Sequence, residues 1–225
     1  GSEMTNNIFD KLLAQLNTKP KTAKQEQIMQ AAIQLFAAKG YANTSTAEIA
    51  RVAGVSEGTI FKHYGTKERL LFSVIAPFIR ELFPQLAREA VEETFTEDTR
   101  SLEQFLRTLI KNRIQFITEN RELFQVFVKE LMYREEFRKK LFPFAMEYVP
   151  ETFKHIVDRF KESGELRDDI PSETTILNVL TFLSGFLITR IILRGSDTIS
   201  EKEMEEAVQF IMEGIRNSHK PEANE

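Results

Sequence analysis

Between residues 44 and 67 the chain gathers hydroxyls, an imidazole, a phenol and two ammonium groups at spacings that suit a polyanion. Thr44, Ser45, Ser56, His63, Tyr64 and Lys67 offer donors or positive charge to phosphate oxygens, whereas Thr46, Thr59 and Lys62 can reach base edges. This is recognition chemistry rather than bond-making chemistry. The chain has three His and no Cys, with no nucleophile elbow, no Gly-rich phosphate loop and no His pair at zinc spacing, so no catalytic residue is assigned. An enzyme is not expected, and neither cofactor nor metal is assigned. Glu147, Glu151 and His155 share a helix face by spacing, but Pro150 falls between them and a solvated charged face is the expectation.

The elements that must hold these groups are short. Ser45 with Glu48 forms a capping-box pattern that starts one helix, with Ile49, Ala50 and Ala53 turned inward. Gly54 can take the left-handed conformation that ends it, Val55 can plug the corner, and Ser56 can cap a second helix from Glu57 to about Tyr64. On that second helix Glu57, Gly58, Thr59, Lys62 and His63 are read as exposed, with Ile60 and Phe61 anchoring it from behind. Two short helices about a Gly-centred turn are the layout of a helix-turn-helix reader of the DNA major groove.

Gly40-Tyr41, Thr44-Ser45, Ile49-Ala50, Ala53-Gly54-Val55-Ser56, Gly58-Thr59-Ile60, His63-Tyr64 and Lys67-Glu68, ahead of Leu70-Leu71, resemble the N-terminal signature of the tetracycline-repressor (TetR) family. The likeness covers roughly residues 22 to 71; beyond them only length and helical character agree. Phe61 departs from it, standing where the family usually carries Tyr, which leaves Tyr64 to supply a nearby hydroxyl. The resemblance implies an all-α chain with an N-terminal three-helix helix-turn-helix domain and a C-terminal helical ligand-binding and dimerisation domain. The expected divisions are an arm over 1–20, the DNA-binding domain over 21–68, the helical domain over 69–219 and a tail over 220–225. It also implies a cytoplasmic, ligand-responsive transcriptional regulator, a repressor released from a near-palindromic operator by a hydrophobic or acidic amphiphilic small molecule. The competing reading is a helical small-molecule or lipid-binding protein without specific DNA recognition.

Charge placement agrees with the first reading. The chain carries −4 overall, yet Lys19 to Arg69 holds 8 basic and 4 acidic residues, whereas Leu70 to Glu225 holds 21 basic and 28 acidic. Counterion release depends on locally placed cations, so a basic N-terminal unit can dock while the acidic remainder stays away. A 42% hydrophobic content suffices for a core, and the lack of Cys excludes disulfides and thiolate metal sites. Gly1-Ser2 reads as an expression scar with no secretory signal after it. The longest uncharged run, Thr174 to Thr189, is read as too short to span a membrane, so no membrane partner is expected.

Outside the motif the pattern is helical throughout. Residues 5 to 16 carry Ile8, Phe9, Leu12, Leu13 and Leu16 at helical spacing, as an amphipathic arm or a disordered one. Thr22 and Gln25 open a helix with Ile28, Ala31, Ala32, Leu35 and Phe36 inward, ending at Gly40. A helix from Lys67 should kink or stop at Pro77 and Pro84, and the stretch from Glu135 to Ser163 should be interrupted at Pro143 and Pro150. Leu102 to Thr118 and Leu123 to Met132 are amphipathic. Residues 171–194 are apolar on nearly all sides and read as buried; Ser200 caps a last helix with Met204, Val208, Ile211, Met212 and Ile215 on one stripe. Helices 171–194 and 200–217 suit a four-helix bundle made by two copies, although one copy could bury them internally.

Of the 19 Phe, Phe116, Phe124, Phe127, Phe137, Phe142, Phe144 and Phe153 crowd the middle of the C-terminal part, where core is the default meaning; a subset, with Phe116, Phe124, Phe127, Phe144 and Phe153 as candidates, would line a pocket that kinked helices leave open. Arg113 falls near the centre of the face made by Leu102, Phe105, Leu106, Leu109, Ile110, Phe116 and Ile117. A guanidinium there needs an anion, either Glu130 on the next helix or the carboxylate or phosphate of a ligand.

Overall fold

The computed structural model describes residues 22–82 and 101–218, so the arm over 5–16, Pro84 and the tail from Lys220 lie outside the described residues. Among the described residues the chain is all-α, with no strand. The helices are α1 (Ala23–Lys39), α2 (Thr46–Ala53), α3 (Glu57–Tyr64), α4 (Lys67–Leu82), α5 (Leu102–Glu119), α6 (Arg121–Tyr133), α7 (Glu135–Glu162), α8 (Ser172–Leu187) and α9 (Glu201–Ile215). A wider π-helical turn, Ile188–Leu193, continues α8. The described chain forms two compact units, one made of residues 22–82 and 120–143 and the other of 101–119 and 144–218.

In the first unit, α1 to α4 pack with α6 and the start of α7. Thr22 caps α1 by accepting the Gln25 N–H at 3.1 Å. Ile28, Ala31, Ala32 and Phe36 are buried as the spacing predicts, while Leu35 is half-buried and Ile33 takes an inward place. Lys129 of α6 donates to the Ala37 carbonyl at 2.6 Å, filling one of the acceptors that the last turn of α1 leaves open. Phe127 lies between Phe78 of α4 and Phe137 of α7, at ring separations of 5.4 and 6.2 Å.

In the second unit α5 packs against α8 and α9. Arg107 of α5 bonds Glu205 of α9 at 3.0 Å and Glu103 on its own helix at 3.1 Å, and Gln209 reaches Glu103 at 2.9 Å. Phe105 meets Phe160 of α7 at 5.7 Å.

Three expectations are corrected. α4 continues through Pro77 to Leu82, and α7 runs unbroken past Pro143 and Pro150 for 28 residues. Pro77 and Pro143 sit on exposed faces, where water can satisfy the carbonyl that each ring frees, so the lost backbone bond costs less than burial of the opposite face returns. Second, α8 with its π turn is a rod of 22 residues, Ser172–Leu193, which extends the uncharged run Thr174–Thr189 at both ends and is, by length and composition, enough to cross a membrane. Third, that rod is not enclosed: 22% of its most apolar stretch is buried within one chain. Thr175, Ile176, Leu183, Phe186, Leu187 and Ile191 face inward, while Thr174, Asn178, Thr181, Ser184 and Thr189 are exposed, as is Leu193 at the end of the rod. On α9, Val208, Ile211 and Met212 are buried as predicted, but Phe210 is 69% exposed and stacks on Phe182 at 5.0 Å.

Candidate nucleic-acid interface

The turn between α2 and α3 is built from local hydrogen bonds that the sequence encodes directly. Ser45 accepts the Glu48 N–H at 3.1 Å and Ser56 the Thr59 N–H at 3.2 Å, each satisfying an orphan donor at a helix start. The Glu48 carboxyl is held below the ordinary carboxylate range, chiefly by its bond to Lys39 at 2.7 Å, with the Ser45 backbone N–H contributing. Gly54 sits at φ 71° and ψ 31°, and its N–H returns to Ala50 and Arg51 carbonyls, the left-handed stop that the spacing predicts. A Cβ at Gly54 would meet nothing within 4 Å, so only backbone strain opposes a side chain there. Gly54→Ala is therefore expected to cost about 1–2 kcal/mol and Gly54→Asn less. Urea unfolding of both variants checks the order; an Ala variant as stable as the parent would show that the turn relaxes.

Once the turn is set, burial sorts the candidate side chains. Ile60 is 0% exposed and is the anchor of α3. Phe61, read as a second anchor, is 46% exposed: a step of 100° along a helix carries its neighbour off the buried line. Val52 is 46% exposed as well. Lys62 is exposed, and Thr59 is half-buried at the start of α3 with its hydroxyl 2.8 Å from that of Ser56. Thr46 donates to the Glu57 carboxylate at 2.6 Å, which ties the first turns of α2 and α3 together.

Two candidates for phosphate contacts are corrected on the same ground. Thr44 is 1% exposed and its hydroxyl donates to the Gly40 carbonyl at 2.8 Å, so the side chain has no proton left for phosphate. Tyr64 donates to the Gln25 carbonyl at 3.2 Å, and burial, helped by Glu26, pushes its phenol up to about 12. It braces α3 on α1 and does not replace the hydroxyl missing from Phe61. His63 is half-buried, its Nδ1 3.4 Å from the Gln25 amide nitrogen. Ser45, by contrast, uses its oxygen for the cap and keeps its own proton to give.

Lys67 opens α4 with its ammonium 4.2 Å from the centre of the Tyr41 ring. Tyr41 and Arg134 are residues that the sequence reading did not assign to the site. Arg134, at the end of α6, lies 4.5 Å from the same ring and bonds Glu130 at 2.8 Å. For Arg134 the signal in the sequence is its i, i+4 spacing from Glu130, and for Tyr41 its place in the Gly40-Tyr41 element of the signature.

The ligand candidates are divided between the units. Phe124 and Phe127 are buried in the first, Phe127 within the aromatic cluster of its core. Arg113, Phe116, Phe144 and Phe153 belong to the second, all half-buried, with Phe144 stacked on Tyr148 at 5.3 Å. Glu130, the internal partner considered for Arg113, bonds Arg134 at 2.8 Å. Arg113 is not at the centre of the buried face: Leu102, Phe105, Leu106, Ile110, Ile114 and Ile117 take the inward line, leaving Leu109, Arg113 and Phe116 beside it. The Arg113 guanidinium bonds the Asn112 carbonyl oxygen at 2.7 and 3.0 Å and lies 5.0 Å from the Phe116 ring. Glu147, Glu151 and His155 are exposed on α7, which Pro150 does not interrupt.

Comparison with known proteins converges on the same segment. Residues 28–74 match the family model of bacterial regulatory proteins, tetR family. The chain is 33% identical over 123 residues to the HTH-type transcriptional regulator YerO of Bacillus subtilis, covering 48% of this chain and 42% of that protein. It is 28% identical over 174 residues to the HTH-type transcriptional repressor AcnR of Corynebacterium efficiens, 75% of this chain and 82% of that one. In fold it is similar to the transcriptional regulator FadR of Bacillus subtilis, solved in complex with stearoyl-CoA, at a TM-score of 0.61 and 20% identity over 84% of this chain and 95% of that one. With the capped turn, the left-handed Gly54 and the half-exposed face of α3 in place, residues 28–74 carry the N-terminal domain of the bacterial regulatory proteins of the tetR family, and the chain is similar over most of its length to a DNA-binding repressor of transcription.

Proposed function

We propose that the protein is a cytoplasmic, homodimeric repressor that reads a near-palindromic operator through α3 and releases it when a hydrophobic, acidic small molecule binds. The observation that carries the reading is the face of α3: Lys62 and Phe61 stand out from a helix pinned by Ile60, with hydroxyls at its N-terminal end and Lys67 just beyond it. Short polar groups at the start of a helix suit base edges, and flanking cations suit phosphates. In this assignment Thr59 and Lys62 approach bases, Thr46, its proton given to Glu57, offers a base only an acceptor, and Ser45, Ser56, His63 and Lys67 serve phosphates.

The exposed Leu193 and Phe210, beside the half-buried Leu177, Leu180 and Phe182, support pairing of two copies through helices 171–194 and 200–217, because a monomer would leave these apolar side chains partly in water. Two copies would set their recognition helices about 34 Å apart, one turn of the duplex. For the effector, a guanidinium over an aromatic ring at Arg113 and Phe116 suits an acid with an apolar tail, and a fold relative has been solved with stearoyl-CoA. Ligand and operator weaken each other only if the ligand prefers a conformation that binds DNA poorly.

Selection of bound sequences from a random duplex pool, followed by release with fatty acyl compounds, tests the reading. A single enriched, near-palindromic sequence is expected, and indifference to sequence at physiological salt overturns it. On the enriched duplex Lys67→Ala should shallow the salt slope by about one unit on specific and random DNA alike. Lys62→Ala should instead cost about 1–3 kcal/mol on the operator and relax one base position; equal weakening on both duplexes would remove Lys62 from the base-reading set.

A further inference from the structure

The first unit contains a polar cluster that helix-turn-helix logic does not require. Tyr41, in the connection from α1 to α2, packs its ring on Phe36 at 5.5 Å and is approached by two cations, Lys67 at 4.2 Å and Arg134 at 4.5 Å. Arg134 is itself fixed. Its Nε lies 2.8 Å from Glu130 and its Nη1 3.6 Å from Glu68, and its side chain is only 20% exposed. The anions therefore hold Arg134, Arg134 and Phe36 hold the Tyr41 ring, and the ring holds the Lys67 ammonium.

We propose that Arg134, the residue that follows α6 and lies outside the helix-turn-helix, is a positioning residue for DNA binding: through the Tyr41 ring that both cations approach, it holds Lys67 where a backbone phosphate docks. The proposal rests on the reading of Lys67 as a phosphate contact. A lysine free in solvent gives up much rotamer freedom when it grips an anion, whereas an ammonium already seated on an aromatic face has less to lose. Arg134 also repels Lys67. Burial first, and then this repulsion, draws the Lys67 ammonium below the ordinary lysine range, with Glu130 opposing. The negative charge of a phosphate arriving at Lys67 would offset the repulsion from Arg134. Glu130 is pushed above the ordinary carboxylate range by burial, against the pull of Arg134 and Lys67.

A double-mutant cycle on the full-length protein tests this, using fluorescence anisotropy on the duplex enriched from the random pool, across a salt series. Lys67→Ala and Arg134→Met are each expected to shallow the salt slope by about one unit. In the Lys67→Ala background, Arg134→Met should change affinity by no more than about twofold, because the group it positions is gone. Arg134→Lys, which keeps a cation for the ring, should recover slope that Arg134→Met loses, a rescue that loss of packing alone would not give. Should Arg134→Met fail to fold by thermal melting, Tyr41→Leu keeps both cations, removes the ring and should show the same cycle. Equal weakening by Arg134→Met in both backgrounds, or an unchanged slope in the Arg134→Met protein, overturns the proposal while leaving the Lys67 contact intact. An unchanged slope in Lys67→Ala removes the phosphate contact and the proposal with it. Failure of the unsubstituted protein to enrich any sequence sinks the functional reading instead.

Discussion

Phe210→Asp is expected to give a folded monomer that has lost most of its affinity for operator DNA. Phe210 is 69% exposed in the single chain, so its replacement removes little from the core of one copy beyond the stack on Phe182. Across a two-fold interface the same change acts twice. Burial of a Phe side chain is worth about 1.5–3 kcal/mol, so two copies forfeit about 3–6 kcal/mol, roughly two to four orders of magnitude in the dimer dissociation constant. The new carboxylates would also stand one helical turn from Glu206 and Glu213 on the same helix, adding like-charge repulsion at the seam. A monomer presents one α3 to one half-site and forgoes the second, so selective binding falls far more than non-selective binding. Sedimentation velocity and anisotropy on one preparation check both parts. A variant that remains dimeric with parental operator affinity would move the interface away from α8 and α9.

The second large effect is expected at Ile60. α3 has eight residues, shorter than the roughly 12–15 that an isolated helix needs to be even marginally stable in water. Its caps at Ser56 and Gly65 define where it begins and ends, but Ile60 is its single fully buried side chain. Ile60→Ala should destabilise the first unit by about 2–5 kcal/mol, with hydrogen exchange protection lost earliest along α3. Operator affinity should fall more than affinity for random duplex, since base reading needs an ordered helix whereas phosphate docking tolerates a loose one. Dimerisation should survive, because α8 and α9 belong to the other compact unit. If α3 keeps its exchange protection and selective binding is unchanged, Ile60 is not the anchor.

Much of this site was legible in the chain before any coordinates. The start and end of α2 and α3, the caps at Ser45 and Ser56 and the left-handed Gly54 all matched, because each depends on hydrogen bonds three or four residues apart. The family signature lies in the same stretch, so the sequence also carried the identity of the DNA-reading element. Less legible was which groups still have a proton to give. Thr44 and Tyr64 spend theirs on backbone carbonyls that only the folded unit brings near, in the case of Tyr64 one 39 residues away.

Amino-acid order by itself determined the helices, their stops and the basic character of the N-terminal segment, since propensity, capping and charge are properties of neighbours along the chain. Packing decided the rest. It turned Phe61 outward, carried α7 through two prolines, gave Glu130 to Arg134 and left much of α8 unenclosed. It also brought Arg134 to Tyr41 across 93 positions of chain, a meeting that no local rule encodes. Burial and ion pairing are set by whichever surfaces meet in space, and those surfaces come from residues far apart in sequence, so the functional state of each candidate side chain is fixed by the fold around it.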